Sequence, residues 1–231
     1  MRKVPGGADG SVAVSGMRVE GGPVIEYAGL ALQALVAGNR ARPDPGKVEA
    51  VAKGLAFYRA AFGKAPDAAG AAALAPAFAE LHLQTRNPDA AAAVYELADW
   101  LCGAQYPVAS PRNPSWAGGF RGTDRDLPAD AEPGFTAGSC LAGLGWAYLV
   151  TARNADVARA ERYRQAAQDA AQFVTSLQYS EPNTRHFENT FRANVLIGGF
   201  HLSPSDGDLR VDATGRCVSG LLRYLASGAE R

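Results

Sequence analysis

An internal repeat constrains the fold of this chain more than any other feature of the sequence. Gly118-Gly119-Phe120 precedes a Gly-x-Cys-x-x-Gly-Leu segment at 138–144, and Gly198-Gly199-Phe200 precedes the same segment at 215–221. The two Gly-Gly-Phe copies lie 80 positions apart, and the two Gly-x-Cys segments lie 77 apart. Self-similarity at a long fixed period is typical of proteins that stack one structural unit several times. The sequence therefore predicts an architecture more directly than a reaction.

Apolar residues recur at helical spacing over seven segments, and short turns pair the segments as antiparallel hairpins. Asn87 before Pro88 is typical of a helix start, and Gly38 is typical of a position just after a helix end. Two long loops, about 107–133 and 180–209, follow the second and third pairs, and loops of this length are commonly functional. The predicted helices are 24–36, 48–62, 69–84, 88–105, 135–149, 155–179 and 211–226.

Composition and charge exclude several classes of protein. The 231 residues are 47% hydrophobic and 20% charged, which is ordinary for a globular domain, and the formal net charge is +0. Because no basic cluster is present, we expect no nucleic-acid partner, and because the apolar runs are short, we expect no membrane span. Met1-Arg2-Lys3 leads into Pro and Gly rather than into an apolar signal core, which favours a cytoplasmic protein. We divide the chain into a Gly-rich N-terminal arm at 1–22 and a single helical domain at 23–231.

Paired helices with Gly-Gly-Phe between the pairs resemble the α/α-toroid proteins. This group includes squalene and terpene cyclases, protein prenyltransferase β-subunits, and the (α/α)-barrel glycosidases, epimerases and lyases. Gly-Gly-Phe at 118–120 and 198–200 is similar to the Gly-Gly-(Phe/Trp) repeat of the cyclase and prenyltransferase branch. The resemblance implies an all-α fold of antiparallel helical hairpins that form an α/α toroid or partial (α/α) barrel. It covers most of residues 24–226.

The sequence also departs from the toroid families. Asp206-Gly207-Asp208-Leu209 lacks the second adjacent acid of the cyclase Asp-x-Asp-Asp motif, and Asp212 lies five positions before Cys217 instead of two, as the prenyltransferase zinc site would require. A complete ring has six hairpins, whereas this sequence supplies three and a half. The ring is therefore open, or it belongs to a longer chain, or another copy in a homo-oligomer completes the buried surface.

Acidic residues in the two long loops are the candidate catalytic groups. Asp126 lies in the first loop, Glu188 lies in the second, and Asp212 follows the second at the start of the last helix. Two carboxylates can act as general acid and as base or nucleophile in glycoside chemistry. The alternative is that these acids are solvated loop and cap residues.

Candidate ligand-binding residues lie in the same loops. Arginine and histidine side chains bind sugar hydroxyls or carboxylates, and aromatic faces stack on sugars. The same residues also suit a hydrogen-bonded structural loop and ordinary core packing. The candidates are His186, Arg192, Arg210, Trp116, Phe120 and Phe200.

Neither a cofactor nor a metal site is expected. The sequence has no glycine-rich phosphate loop, no HExxH and no clustered His/Cys spacing. The three cysteines, Cys102, Cys140 and Cys217, lie in apolar helical patterns, which is typical of packed free thiols.

Three functions remain open from the sequence. The first is a carbohydrate-active enzyme, similar to a glycoside hydrolase, epimerase or lyase, with an oligosaccharide or another small molecule as its ligand. The second is an isoprenoid-handling protein of the cyclase and prenyltransferase type. The third is a non-catalytic helical-repeat module that binds a partner or a glycan. Converging acids in a cleft would favour the first, an enclosed aromatic cavity the second, and neither feature the third.

Overall fold

The computed structural model describes residues 25–109, 113–121 and 131–230. Over these ranges the chain is all-α, with β structure limited to two isolated bridges. The predicted arm at 1–22 lies outside the described residues. The α-helices are α1 (Ile25–Ala41), α2 (Pro45–Lys64), α3 (Ala68–Thr85), α4 (Pro88–Ala104), α5 (Thr136–Arg153), α6 (Val157–Ser176), the short α7 (Asn189–Phe191), which continues as a π-helical turn over Arg192–Leu196, and α8 (Val211–Ser227).

The predicted end of the first helix is wrong. α1 continues through Gly38 to Ala41, and α2 begins at Pro45. A glycine inside a helix costs only about 1 kcal/mol relative to alanine, so it need not end one. The turn is made instead by Asp44, whose Oδ1 accepts a hydrogen bond from the Gly46 N–H at 2.9 Å. Pro45 follows at the first helical position, where its missing N–H would have had no partner.

Side-chain caps also begin α3, α4 and α6. Asn87 accepts hydrogen bonds from the N–H groups of Asp89 and Ala90, which confirms the predicted start of α4. Asp67 caps α3 and Asp156 caps α6 in the same way. Each cap satisfies N–H groups that the helix itself leaves without partners, and such a cap contributes about 1 kcal/mol.

The helices form two layers. α1, α3, α5 and α8 pack side by side in that order and run parallel, and they make up the inner layer. α2, α4 and α6 lie behind them and make up the outer layer. An ion pair between Arg59 and Glu96 links α2 to α4, and another between Arg162 and Asp99 links α4 to α6. Three hairpins and the single helix α8 therefore form one continuous stack.

Small residues bring the inner helices unusually close together. A Cβ added at Gly29 of α1 would lie 2.5 Å from the carbonyl oxygen of Ala73 in α3. A Cβ added at Gly138 of α5 would lie 2.7 Å from the Cα of Cys217 in α8. α3 contributes seven buried alanines to this layer. The close spacing is therefore a property of the sequence, because larger side chains at these glycines would force the helices apart.

The Gly-Gly-Phe repeat builds the same structure twice. After α4, Tyr106 N–H donates to Gly119 O and Gly118 N–H donates to Tyr106 O; after α6, Tyr179 makes the same pair of bonds with Gly199 and Gly198. Both Phe120 and Phe200 are buried. The Gln-Tyr that follows α4 and the Gln-Tyr that follows α6 are thus the partners of the next Gly-Gly-Phe in the chain, a pairing that the sequence alone did not show.

The described helices leave the inner layer with two ends. α1 begins the row and α8 finishes it, and no extensive interface joins these two helices within the described ranges. The all-α fold and the hairpins agree with the sequence analysis, whereas the closed or partial toroid stays a prediction.

Candidate functional site

The two long loops meet at the end of the molecule where the inner helices begin. Phe135 N–H donates to Leu202 O at 2.9 Å, which fixes the end of the first loop against the second. Glu132 reinforces the contact, because its carboxylate accepts hydrogen bonds from Ser203 at 2.7 Å and from Ser205. The loops that the sequence marked as functional are therefore in direct contact.

Glu132 is held in its ionised form at this junction. Burial alone would raise the pKa of the carboxyl group, but hydrogen bonds from Ser205, Ser203 and the Trp116 indole outweigh burial and lower the pKa. A carboxylate that accepts three side-chain hydrogen bonds is well suited to a structural role.

The two predicted catalytic acids that the structure describes, Asp212 and Glu188, have different surroundings. Asp212 is exposed and forms a two-bond ion pair with Arg210, at 3.0 and 2.8 Å, and this contact lowers the pKa of Asp212. Glu188 is exposed at the start of the short helix α7. Asp126 lies outside the described residues. No contact within the described part of the chain joins Glu188 to Asp212, so their pairing stays a prediction.

Among the predicted ligand-binding residues, His186 and Arg210 are exposed and Arg192 is partly buried. His186 is exposed and stacks on Phe187, and Arg192 lies 3.7 Å from the Glu181 carboxylate. Arg210 lies over the Phe135 ring. These contacts leave the binding roles of His186, Arg192 and Arg210 untested.

The three aromatic candidates also differ from one another in burial. Trp116 is half-buried, and its ring lies 5.4 Å from the Tyr106 ring. The Arg121 guanidinium lies over the Tyr106 ring. Phe120 and Phe200 have almost no exposed surface, and they serve as anchors beneath their loops. Of the three aromatic candidates, only Trp116 presents a ring to the surface.

A polar cluster in the inner layer was missed by sequence reasoning. The Glu80 side chain of α3 is only 3% exposed and accepts hydrogen bonds from Arg40 of α1 at 2.6 Å and from Gln84 at 2.9 Å. Nearby, the Arg223 guanidinium of α8 stacks 3.9 Å from the centre of the Trp146 ring of α5. All four inner helices thus contribute to this cluster.

The sequence carried a signal for this cluster. Glu80 is the only charged residue in the apolar stretch 68–81, and a charge on a helix with no polar face must find a buried partner. Burial lowers the pKa of Arg223, and the charge of Glu80 opposes that effect. The negative charge of Glu80 thus compensates the positive charges of Arg40 and Arg223, which favours a structural role for this network across the inner layer.

The three thiols are free, as predicted. Burial raises the pKa of Cys102 to about 11, that of Cys217 to about 12, and that of Cys140 still further. Cys140 points at the carbonyl of Ala68, where α3 begins, and Cys217 points at the carbonyl of Phe135, where α5 begins. The repeated cysteine therefore connects α5 to the start of α3, and α8 to the start of α5. In the described ranges no cluster of His, Cys, Asp and Glu is arranged to hold a metal.

The far side of α8 carries an uncovered apolar stripe. We call Val211, Gly215, Val218, Leu222 and Leu225 the α8 end face; these residues share one side of the helix, turned away from α5. Val211 is 92% exposed and Leu222 is 61% exposed. Nothing lies within 4 Å of the position that a Cβ at Gly215 would occupy. α8 therefore has a second apolar side, opposite the side that packs on α5, and no described residue covers it.

Comparisons with known proteins give no relative: no family model, curated protein or solved structure matches this chain. None of the helices in the described ranges combines the length and apolar character that crossing a bilayer requires. The fold and the site together define a two-layered protein of α-helical hairpins.

Proposed function

We propose that this chain is a helical-hairpin repeat module that binds a protein partner through the α8 end face. A single observation carries the proposal. Gly215 occupies the same position in the repeat as Gly138, and Gly138 is where α5 receives α8 at close range, whereas Gly215 is open. The α8 end face is thus built like an interface that the chain already uses.

The energetics favour binding at this face. Burying a leucine or valine side chain contributes about 1.5–3 kcal/mol, and the α8 end face offers four such side chains with no charged residue among them. Exposed apolar stripes of this kind mark interaction sites on soluble proteins. The sequence left three functions open, and this geometry favours the helical-repeat module.

Carbohydrate binding at the loop junction is a second candidate. Trp116 and Tyr106 present half-buried rings there, beside Arg121 and the ionised Glu132. Aromatic rings beside charged and polar groups are typical of sugar sites. This candidate keeps the oligosaccharide ligand predicted from the sequence without requiring a catalytic pair.

The experiment incubates the full chain with neutral and acidic oligosaccharides and with isoprenoid diphosphates, and it measures both product formation and the melting temperature. A binding module gives no product from either class. Turnover that is lost in Glu188→Ala or Asp212→Ala, with folding retained, would overturn the proposal in favour of an enzyme.

The melting temperature separates the two binding candidates, because a ligand that binds the folded state raises it. Stabilisation by an oligosaccharide that disappears in Trp116→Ala but persists in Leu222→Glu would select the loop junction. If the α8 end face is the binding site, none of these ligands is expected to change the melting temperature.

A further inference from the structure

The inner layer uses one type of contact repeatedly. Gly143 of α5 faces α3, where a Cβ would lie 3.5 Å from the Cα of Ala72. Its repeat equivalent, Gly220 of α8, faces α5, where a Cβ would lie 2.2 Å from the carbonyl oxygen of Gly138. Each of these helices therefore turns one small-residue side toward the preceding helix of the layer.

The opposite side of α5 packs against α8, the following helix of the layer. On α5 this receiving side includes Gly138 and Gly145, and α8 covers both. The equivalent residues of α8 are Gly215 and Leu222, and both belong to the exposed α8 end face. The α8 end face thus continues an interface that is already formed between α5 and α8, and its natural occupant is another inner-layer helix running parallel to α8.

Among the described residues, α1 is the other inner helix with an uncovered side facing away from the row. α1 packs on α3 through Gly29, and its opposite side exposes Tyr27, Leu30, Ala31 and Ala34. We call these four residues the α1 end face. They are apolar or small and carry no charge, so they match the α8 end face in character.

We infer that the α8 end face binds the α1 end face of a second copy of this chain. The inference rests on the proposed function and names its partner. In one chain the two faces stand at opposite ends of the row and share no extensive interface within the described residues. Contact between copies is therefore required, and it is head-to-tail, which closes into a ring or continues as a filament.

The experiment measures the mass of the full chain in solution by light scattering and sedimentation over a range of concentrations. Wild type is expected to exceed the mass of one chain at least twofold. Leu222→Glu on the α8 end face and Leu30→Glu on the α1 end face are each expected to weaken self-association at least 100-fold. The matched control is Val157→Glu, which places the same charge at an exposed apolar residue of α6, and it is expected to associate like wild type.

Gly215→Leu tests the close approach without adding a charge. The added side chain meets open space in a single chain, so folding is expected to be intact by circular dichroism. In the assembly the same side chain would occupy the space of the incoming helix, so association is expected to fall as it does for Leu222→Glu.

A mixing experiment identifies the pairing of the faces. Leu222→Glu keeps an intact α1 end face, and Leu30→Glu keeps an intact α8 end face, so a mixture of the two is expected to form one-to-one pairs although neither forms them alone. Self-association of Leu30→Glu at wild-type strength would overturn the inference by showing that α8 pairs with something other than α1. A wild type that stays a single chain at about 100 μM would overturn the inference as well.

The failure of this inference differs from the failure of the proposed function. If the chain is monomeric and turns over no substrate, a second copy is excluded as the partner, and the proposal of a binding module stands. Substrate turnover dependent on Glu188 or Asp212 removes the module, whatever the mass in solution.

Discussion

Individual side chains at the loop junction show how burial changes the chemistry of a residue. The His201 ring lies 3.9 Å from the Tyr179 ring, and its Nε2 atom is enclosed without a hydrogen-bond partner among the described residues. Burial lowers the pKa of His201, and the charge of Asp206 opposes that effect only in part. The folded protein therefore prefers the neutral ring more strongly than the unfolded chain does.

We predict that this histidine makes the protein less stable under mildly acidic conditions. In the unfolded chain the ring takes up a proton near its ordinary pKa of about 6.5. Because the pKa in the folded state is lower, the free energy of unfolding falls as the pH drops below about 6.5, until the folded state is protonated as well. His201→Gln is expected to reduce this fall, measured by urea unfolding between pH 7.5 and 5.

His186→Gln is the matched control, because His186 is an exposed histidine of the same long loop. It is expected to keep the pH dependence of wild type. Carboxylates contribute equally in all three proteins and cancel in the comparison. If His201→Gln and wild type lost stability in parallel, burial of His201 would not be the cause.

Among the elements, the two Gly-Gly-Phe turns are alike in backbone and unlike in surroundings. Gly118 and Gly198 have φ angles of 83° and 91°, a region that favours glycine. A Cβ at Gly118 would lie 2.2 Å from the carbonyl oxygen of Asp169 in α6, whereas a Cβ at Gly198 would meet nothing within 4 Å. The two glycines thus separate the effect of backbone conformation from that of packing.

We predict that Gly198→Ala and Gly118→Ala destabilise the protein unequally. Alanine at Gly198 meets only the left-handed backbone, which costs about 1–2 kcal/mol. Alanine at Gly118 also displaces a helix carbonyl, and overpacking adds about 1–3 kcal/mol. Urea unfolding of the two variants measures the difference, and equal losses would show that α6 moves away freely.

The sequence predicted these elements better than it predicted their environments. Helical spacing, Asn87 with Pro88, and the repeated glycines depend on neighbouring residues in the chain, so they can be read locally. The missed end of α1 shows the limit of such signals, because Gly38 is tolerated where the helix has other support. The difference between Gly118 and Gly198 depends on α6, which only the folded chain brings near.

At the scale of the whole molecule, one hydrophobic core runs through all the hairpins. Trp100 of α4 packs edge-on against Phe62 of α2, at one end of the stack. Trp146 of α5 packs beneath Arg223 of α8, at the other end. Both indoles therefore report on the same core from different hairpins.

We predict that both ends of the stack unfold together. The two middle helices of the inner layer, α3 and α5, are each packed on both of their neighbours in the row, so no hairpin has a separate core. Two variants that keep either Trp100 or Trp146 as the only tryptophan are expected to give the same urea midpoint by fluorescence, and it should equal the midpoint by far-UV circular dichroism. A lower midpoint for Trp146 would show that α5 and α8 unfold independently, as repeat proteins sometimes do.

The candidate site was predicted only in part, and the reason is physical. Composition and loop length indicated that the loops after α4 and α6 matter, and the Glu132 contacts bring these loops together. The cluster around Glu80 draws on four helices that are far apart in the sequence, so no local pattern contains it. The α8 end face was also hidden, because an apolar stripe on a helix looks the same whether or not a neighbour covers it.

The alanines of α3 make its sensitivity to mutation one-sided. Seven of them are buried between α1, α5 and the outer layer, and each already carries the smallest side chain that still favours a helix. An alanine scan would therefore leave these seven enclosed positions of α3 untested. Only substitutions that enlarge these side chains would reveal how tightly α3 is packed. At these positions a small side chain indicates close packing of the helices and not spare room.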